Sequence, residues 1–146
     1  MSDRVILLVE DSSDDEILAV RALKKNNYFN GIVVAHDGVE ALDYLFATGA
    51  YAGRDLDIQP GVILLDLNLP RLDGLEVLRR LRSDERTRRV PVVVLSSSKE
   101  QQDLHQSYGL GANSYIRKPV DFNQFTEAMG QLSSYWLVLN ERPPPA

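Results

Sequence analysis

The chain has no cysteine in its 146 residues. Disulfides, thiolate nucleophiles, cysteine-ligated metal sites and thioether-linked chromophores are all excluded by that absence. There is also no GxGxxG and no GxxxxGKS/T stretch, so dinucleotide and P-loop nucleotide binding have no support. Long apolar runs are missing too. The first, Val5 to Val9, stops at Glu10-Asp11, too short for a leader or a membrane span. A reducing, cytoplasmic location with no membrane partner is expected. Positive charge is in deficit, with a formal net charge of −5, which argues against nucleic acid as a main partner. Arg79, Arg80, Arg82, Arg86, Arg88 and Arg89 do cluster, but Asp84 and Glu85 interrupt them and no aromatic is interleaved. The cluster reads as a solvated helix face, with a docking patch for an acidic partner as the alternative. No repeat or low-complexity block occurs.

What is present is ordinary globular material, 44% hydrophobic and 25% charged, of a length that fits one domain with a real core. Strands are expected at 4–9, 32–35, 62–66, 91–95 and 113–116. Three of them are continuous apolar runs, the mark of parallel strands covered on both faces. Between them fall helical spacings of three and four: Ile17, Val20 and Leu23; Val39, Leu42 and Phe46; Leu75, Leu78 and Leu81. A capping residue followed three positions later by Glu or Gln occurs at Ser13/Glu16, Asp37/Glu40, Asp73/Glu76, Ser98/Gln101 and Asp121/Gln124. Five such signals, each just past a strand, define a (βα)5 unit. Right-handed crossovers then give an open, doubly wound five-stranded parallel sheet of order 2-1-3-4-5, flavodoxin-like, with an extended C-terminal helix.

In such sheets ligands bind beyond the carboxyl ends of the strands, where the winding reverses. Here that point lies between the first and third strands, which end in Glu10-Asp11 and Asp66. Crowded carboxylates repel unless a divalent cation sits among them. Asp66 is the expected nucleophile, since a carboxylate attacking phosphorus forms an acyl phosphate. Asp11 and Asp66 supply oxygens for Mg²⁺, Glu10 reaches it through a water or a hydrogen bond, and the backbone carbonyl of Asn68 is the natural further ligand. Lys118, after the fifth strand, suits pairing with a carboxylate and then with phosphoryl oxygens. The proline after it makes a cis peptide a candidate. Ser96, closing the fourth strand, offers a hydroxyl donor. His36 and His105 lack partners at metal or relay spacing and are expected to be exposed.

These residues resemble the receiver domain of two-component response regulators. The resemblance is carried by Glu10-Asp11, by Leu64 to Pro70 with Asp73-Gly74, by Ser96 and by Lys118-Pro119, in order and spacing over roughly residues 3–130. It implies that Asp66 is the phosphoacceptor, with Asp11 and Glu10 the acidic magnesium pocket. Ser96 becomes the switch hydroxyl, Lys118 the phosphate-pairing lysine, and Tyr115 the aromatic that changes rotamer. The donor implied is the phosphohistidine of a sensor histidine kinase. The regulator, not an enzyme in the turnover sense, catalyses its own phosphoryl transfer and slow dephosphorylation. Two residues depart from the common pattern: Glu-Asp stands for Asp-Asp, and Ser for Thr.

A stand-alone receiver is expected over residues 3–140, with 141–146 a proline-rich tail. Finer features resemble the small regulators that pair with cyanobacterial phytochrome kinases. One is the long connection 47–61, read as a tolerated surface insertion or a partner-contacting loop. The other is the extended last helix, whose apolar stripe runs Phe122, Phe125, Met129, Leu132, Trp136, Leu139. This helix reads either as a long core helix or as one whose distal half, around Tyr135, Trp136 and Leu139, packs on a second copy in a homodimer. The rival reading is a magnesium-dependent aspartyl phosphohydrolase on a related fold. Such enzymes carry a second Asp two residues after the nucleophile as general acid, where this chain has Asn68.

Overall fold

The computed structural model describes residues 5–25, 31–97, 101–118 and 122–136. Strands β1 (Val5–Val9), β2 (Gly31–Ala35), β3 (Val62–Asp66), β4 (Val92–Ser96) and β5 (Ser114–Arg117) alternate with helices α1 (Ser13–Lys24), α2 (Gly38–Phe46), α3 (Gly74–Arg82), α4 (Gln101–Gly109) and α5 (Phe122–Ser134). All strand pairs are parallel, in the order β2-β1-β3-β4-β5. The expected sheet order and alternation of strands and helices are the observed ones, with strand ends shifted by a residue at most; the expected extension of the last helix past residue 136 lies outside the described residues.

Strand alternation sorts the core into two layers. Leu7, Val9, Ile63, Leu65, Val92 and Val94 face α2 and α3. Ile6, Leu8, Val62, Leu64, Val93 and Leu95 face α1 and α5. Strands β1, β3 and β4 are therefore buried almost end to end, whereas β2 and β5 at the sheet edges are half-buried. That contrast is why the three central strands read as unbroken apolar runs.

Two expectations about α1 are corrected. Its N-cap is Ser12, whose hydroxyl accepts from the Asp15 amide at 3.3 Å, so the Ser13/Glu16 pairing is one residue too late. Glu16 instead meets His36 Nε2 at 2.8 Å. The buried face of α1 is Ala19, Ala22 and Leu23, while Ile17 is 57% exposed. Leu23 and Val20 of the expected stripe do meet the core, and Ile17 alone falls outside it, as Ala19 and Ala22 let α1 pack closely beside α5. Helices α2 and α3 start as expected, with Asp37 accepting from Glu40 N at 2.7 Å and Asp73 from Glu76 N at 3.0 Å. The caps expected at Ser98 and Asp121, the Lys118-Pro119 peptide, Leu139 and the 141–146 tail lie outside the described residues.

The connection 47–61 is a packed unit carrying a 3₁₀ turn, Gly49–Tyr51. Arg54 is its clamp: the guanidinium donates to the carbonyls of Tyr44 at 2.6 Å and Leu45 at 3.1 Å, and also to Ile58. It lies 4.2 Å from the Tyr44 ring centre. Ala47 opens the segment with φ 55°, in the left-handed region where a side chain is strained.

The arginine-rich stretch is a solvated face only in part. Arg79 and Arg80 pair with Glu76, and Arg86 with Asp84. Arg82 is different. It donates to the carbonyls of Arg88 at 2.9 Å, Val90 at 2.7 Å and Gly111 at 2.8 Å, and to Asn113 Oδ1 at 3.1 Å. It therefore brackets the end of α3 to the turn before β5, and burial lowers its pKa.

Candidate functional site

Strand register brings the acids together. Val9 of β1 lies beside Leu65 of β3, so the next residues, Glu10 and Asp66, leave the sheet side by side. Glu10 and Asp66 are buried and Asp11 is exposed. One carboxylate oxygen from each lies within 4.8 Å of the other two. Across β3 and β4, the pairing of Asp66 with Leu95 sets Ser96 one step farther along β4, fully buried. Ser96 in turn lies beside Arg117 of β5, and the Lys118 amide donates to the Ser96 carbonyl at 2.8 Å. The ends of β1, β3, β4 and β5 thus form one floor, as the sequence predicts.

Asp66 is held from below. The Asn68 amide donates to its Oδ1 at 3.2 Å. A Cβ at Gly74 would fall 2.4 Å from the Asp66 carbonyl oxygen and 2.7 Å from Leu67 Cα. Only glycine lets α3 start this close to the strand end. Gly38 serves similarly at the start of α2, where a Cβ would sit 2.0 Å from the Leu72 carbonyl oxygen. Arg71, at φ 67°, turns the intervening loop and approaches Asp37 at 3.4 Å.

Lys118 Nζ lies among the acids, 2.5 Å from Glu10 Oε1, 3.0 Å from Asp15 Oδ2 and 3.5 Å from Asp66 Oδ2. Burial pushes the Glu10 carboxyl up to about 7; the Lys118 bond opposes that rise and the neighbouring Asp66 adds to it. For Lys118, burial works against the charged form, but the bonds to Glu10 and Asp15 and the charge on Asp66 outweigh it and raise its pKa. A site in which a buried acid is pushed toward neutrality has room for more positive charge. The donors are all hard carboxylate oxygens, which suit Mg²⁺, Mn²⁺ or Ca²⁺ better than a soft metal. The residues present fit a divalent cation.

Tyr115 is half-buried against the α2/α3 side of the core. Tyr135 is 49% exposed and stacks edge-on to Trp136 at 4.9 Å. Trp136 is partly buried and packs against the chain's own α1/α5 core. His36 and His105 are exposed, as expected. The residue that sequence reasoning missed is Asp15, one of three successive acids in the first turn of α1. Its one available signal is its position a helical turn beyond the strand-end acid Asp11.

A family model described as the response regulator receiver domain matches residues 6–130. The chain is 40% identical over 142 residues to the probable methanogenesis regulatory protein FilR2 of Methanothrix harundinacea, covering 97% of this chain and 89% of that protein. It is 37% identical to response regulator Rcp1 of Synechocystis, over 92% of this chain and 89% of that one. A Mn²⁺-bound structure of Rcp1 superposes with a TM-score of 0.85 at 35% identity, covering 97% of this chain and 99% of that one. The phosphorylated cyanobacterial phytochrome response regulator RcpA superposes at 0.87 with 38% identity, covering 98% and 100%. Nothing in these likenesses supports the hydrolase reading, and Asn68 stands where that reading needs an acid.

Proposed function

The chain belongs to the response regulator receiver family, whose members take phosphoryl groups from histidine kinases, and on that premise we propose that Asp66 is its phosphoacceptor. The observation that supports this most directly is the single cluster formed by Glu10, Asp11, Asp66 and Lys118, with Lys118 Nζ 3.5 Å from Asp66 Oδ2.

In the proposed reaction an Asp66 oxygen attacks the phosphorus of the kinase's phosphohistidine. The new O–P bond forms as the N–P bond breaks, and the imidazole leaves with the electron pair. Asp11, Asp66 and the Asn68 carbonyl would hold Mg²⁺, with Glu10 beside it. Bound there, the cation screens the acids from the incoming group and stabilises charge developing on its oxygens. Lys118 and the Ser96 hydroxyl bond the phosphoryl oxygens once the group is in place. Phosphorylation adds on the order of one further negative charge to Asp66. Contacts to Ser96 and Lys118 that exist only in that state shift the equilibrium, and Tyr115 follows by changing rotamer. Slow hydrolysis of the acyl phosphate resets the switch.

The likeness to Rcp1 and RcpA supports a phytochrome-type kinase as donor. The exposed Tyr135, with Trp136 and Leu139, is the proposed contact in a homodimer; residues 3–140 would form the single receiver unit. No described helix is long and apolar enough to cross a membrane, consistent with a cytoplasmic signalling role.

Incubation with acetyl phosphate and Mg²⁺ tests the reading. One label per chain is expected, abolished by Asp66→Asn and by chelation. Full labelling of the variant would eliminate Asp66, and repeated turnover of a generic phosphate ester would favour the hydrolase. Light-dependent transfer from a purified phytochrome-type kinase tests the donor. Sedimentation with and without beryllofluoride, a mimic of the acyl phosphate, tests dimerisation.

A further inference from the structure

We propose that Asp15 is a positioning residue: it competes with Asp66 for the Lys118 ammonium, and phosphorylation must draw the lysine away from it. This rests on the reading that Asp66 takes the phosphoryl group.

An ammonium has three donors, and in the resting site two of them are engaged elsewhere. Lys118 Nζ donates to Glu10 Oε1 at 2.5 Å and to Asp15 Oδ2 at 3.0 Å. To Asp66 Oδ2 it stands at 3.5 Å, an ion pair without a hydrogen bond. The two engaged acids are not equivalent. Glu10 is buried and shares the oxygen cluster with Asp11 and Asp66, so a bound cation offsets its charge. Asp15 belongs to α1, lies outside that cluster and is 44% exposed at its side chain. With a cation in place it remains the lysine's competing partner.

Asp15 is also well held for this task. Its backbone amide donates to the N-cap hydroxyl of Ser12 at 3.3 Å, which fixes the first turn of α1 directly above the end of β1. Only contacts that differ between two states bias their equilibrium. The Lys118–Asp15 bond favours the unphosphorylated state to the extent that it lengthens when the lysine turns to the phosphoryl oxygens. A half-exposed pair of this kind is a modest bias that sets a threshold without blocking the switch.

Calorimetric titration with beryllofluoride at saturating Mg²⁺ tests this. Asp15→Asn should bind about threefold more tightly than the parent chain, the effect of one partly exposed ion pair. Asp14→Asn removes the same charge from the neighbouring exposed residue and should leave the affinity unchanged. Asp15→Glu, which restores the charge on a longer stem, should return it toward the parent value. In a Lys118→Met background Asp15→Asn should have no effect, because the competition runs through the lysine. The inference is overturned if Asp15→Asn binds no more tightly than Asp14→Asn, or if its gain persists without the lysine. A parent chain that takes neither beryllofluoride nor phosphoryl label would instead overturn the assignment of Asp66. Unchanged melting temperatures for the Asp14 and Asp15 variants establish that the affinities compare folded molecules.

Discussion

Lys118 and Arg82 are both cations withdrawn from water, and their surroundings could hardly differ more. Lys118 stands among three carboxylates, Glu10, Asp15 and Asp66. Arg82 stands among neutral carbonyls and one amide oxygen. The first arrangement is a point charge with several unlike anions competing for it. The second is a planar fork with every prong occupied. A movable cation needs competing anions; a structural one needs fixed dipoles. The same distinction separates the end of the sheet that reacts from the loops that hold it in shape.

The largest test of that contrast is Arg82→Ala, which strands several carbonyls at the α3–β5 junction. It should cost about 3 kcal/mol, a fall of roughly 10 °C in melting temperature, while surviving folded protein still takes one label per chain. Arg82→Lys should recover less than half of that loss. Lys118→Met should do the reverse. Beryllofluoride affinity should drop at least about tenfold, through loss of a charge-assisted bond. The melting temperature should change little below pH 6, because Glu10 without its lysine takes up a proton even more readily than it does at about 7.

A pH series sharpens the comparison further. The carboxyl of Glu10 is raised from 4.5 to about 7, so the fold favours its protonated form. In the metal-free protein that contribution is whole below pH 4.5 and disappears as the pH rises through about 7. A cation needs the ionised form. Mg²⁺ affinity should therefore climb by up to about tenfold per pH unit between pH 5.5 and 7 and level off above 8. Equal stabilisation by Mg²⁺ at pH 5.5 and pH 8 would remove Glu10 from the cation's surroundings. The smallest effect belongs to the packed 47–61 segment. Ala47→Gly relieves a left-handed alanine and should add about 0.5–1 kcal/mol of stability without altering labelling.

The same contrast explains what could be read from the amino-acid order. Central strands buried on both faces leave little freedom of composition, so Val62 to Leu65 and Val92 to Leu95 are legible as strands, and the residues that close them as a site. Glu10, Asp11, Asp66, Ser96 and Lys118 were findable because each marks a change from apolar run to polar end. Asp15 was not, because Asp14 and Glu16 beside it are equally acidic and its spacing from Asp11 is a weak signal until the placement of α1 is known. Arg82 hid for the same reason among its neighbouring arginines. On α1, Val20 and Leu23 meet the core as expected, but Ile17 does not, although it outranks alanine in hydrophobicity. Close packing against α5 selects for small size instead.

Gly74 has a further consequence. With α3 seated 2.4 Å (by a notional methyl) from the Asp66 carbonyl, the reactive strand end is wedged on one flank like a key in its slot. A rearrangement set off by chemistry at that carboxylate therefore meets a rigid backing on the α3 side. One missing side chain thus gives the reactive strand end its fixed jaw.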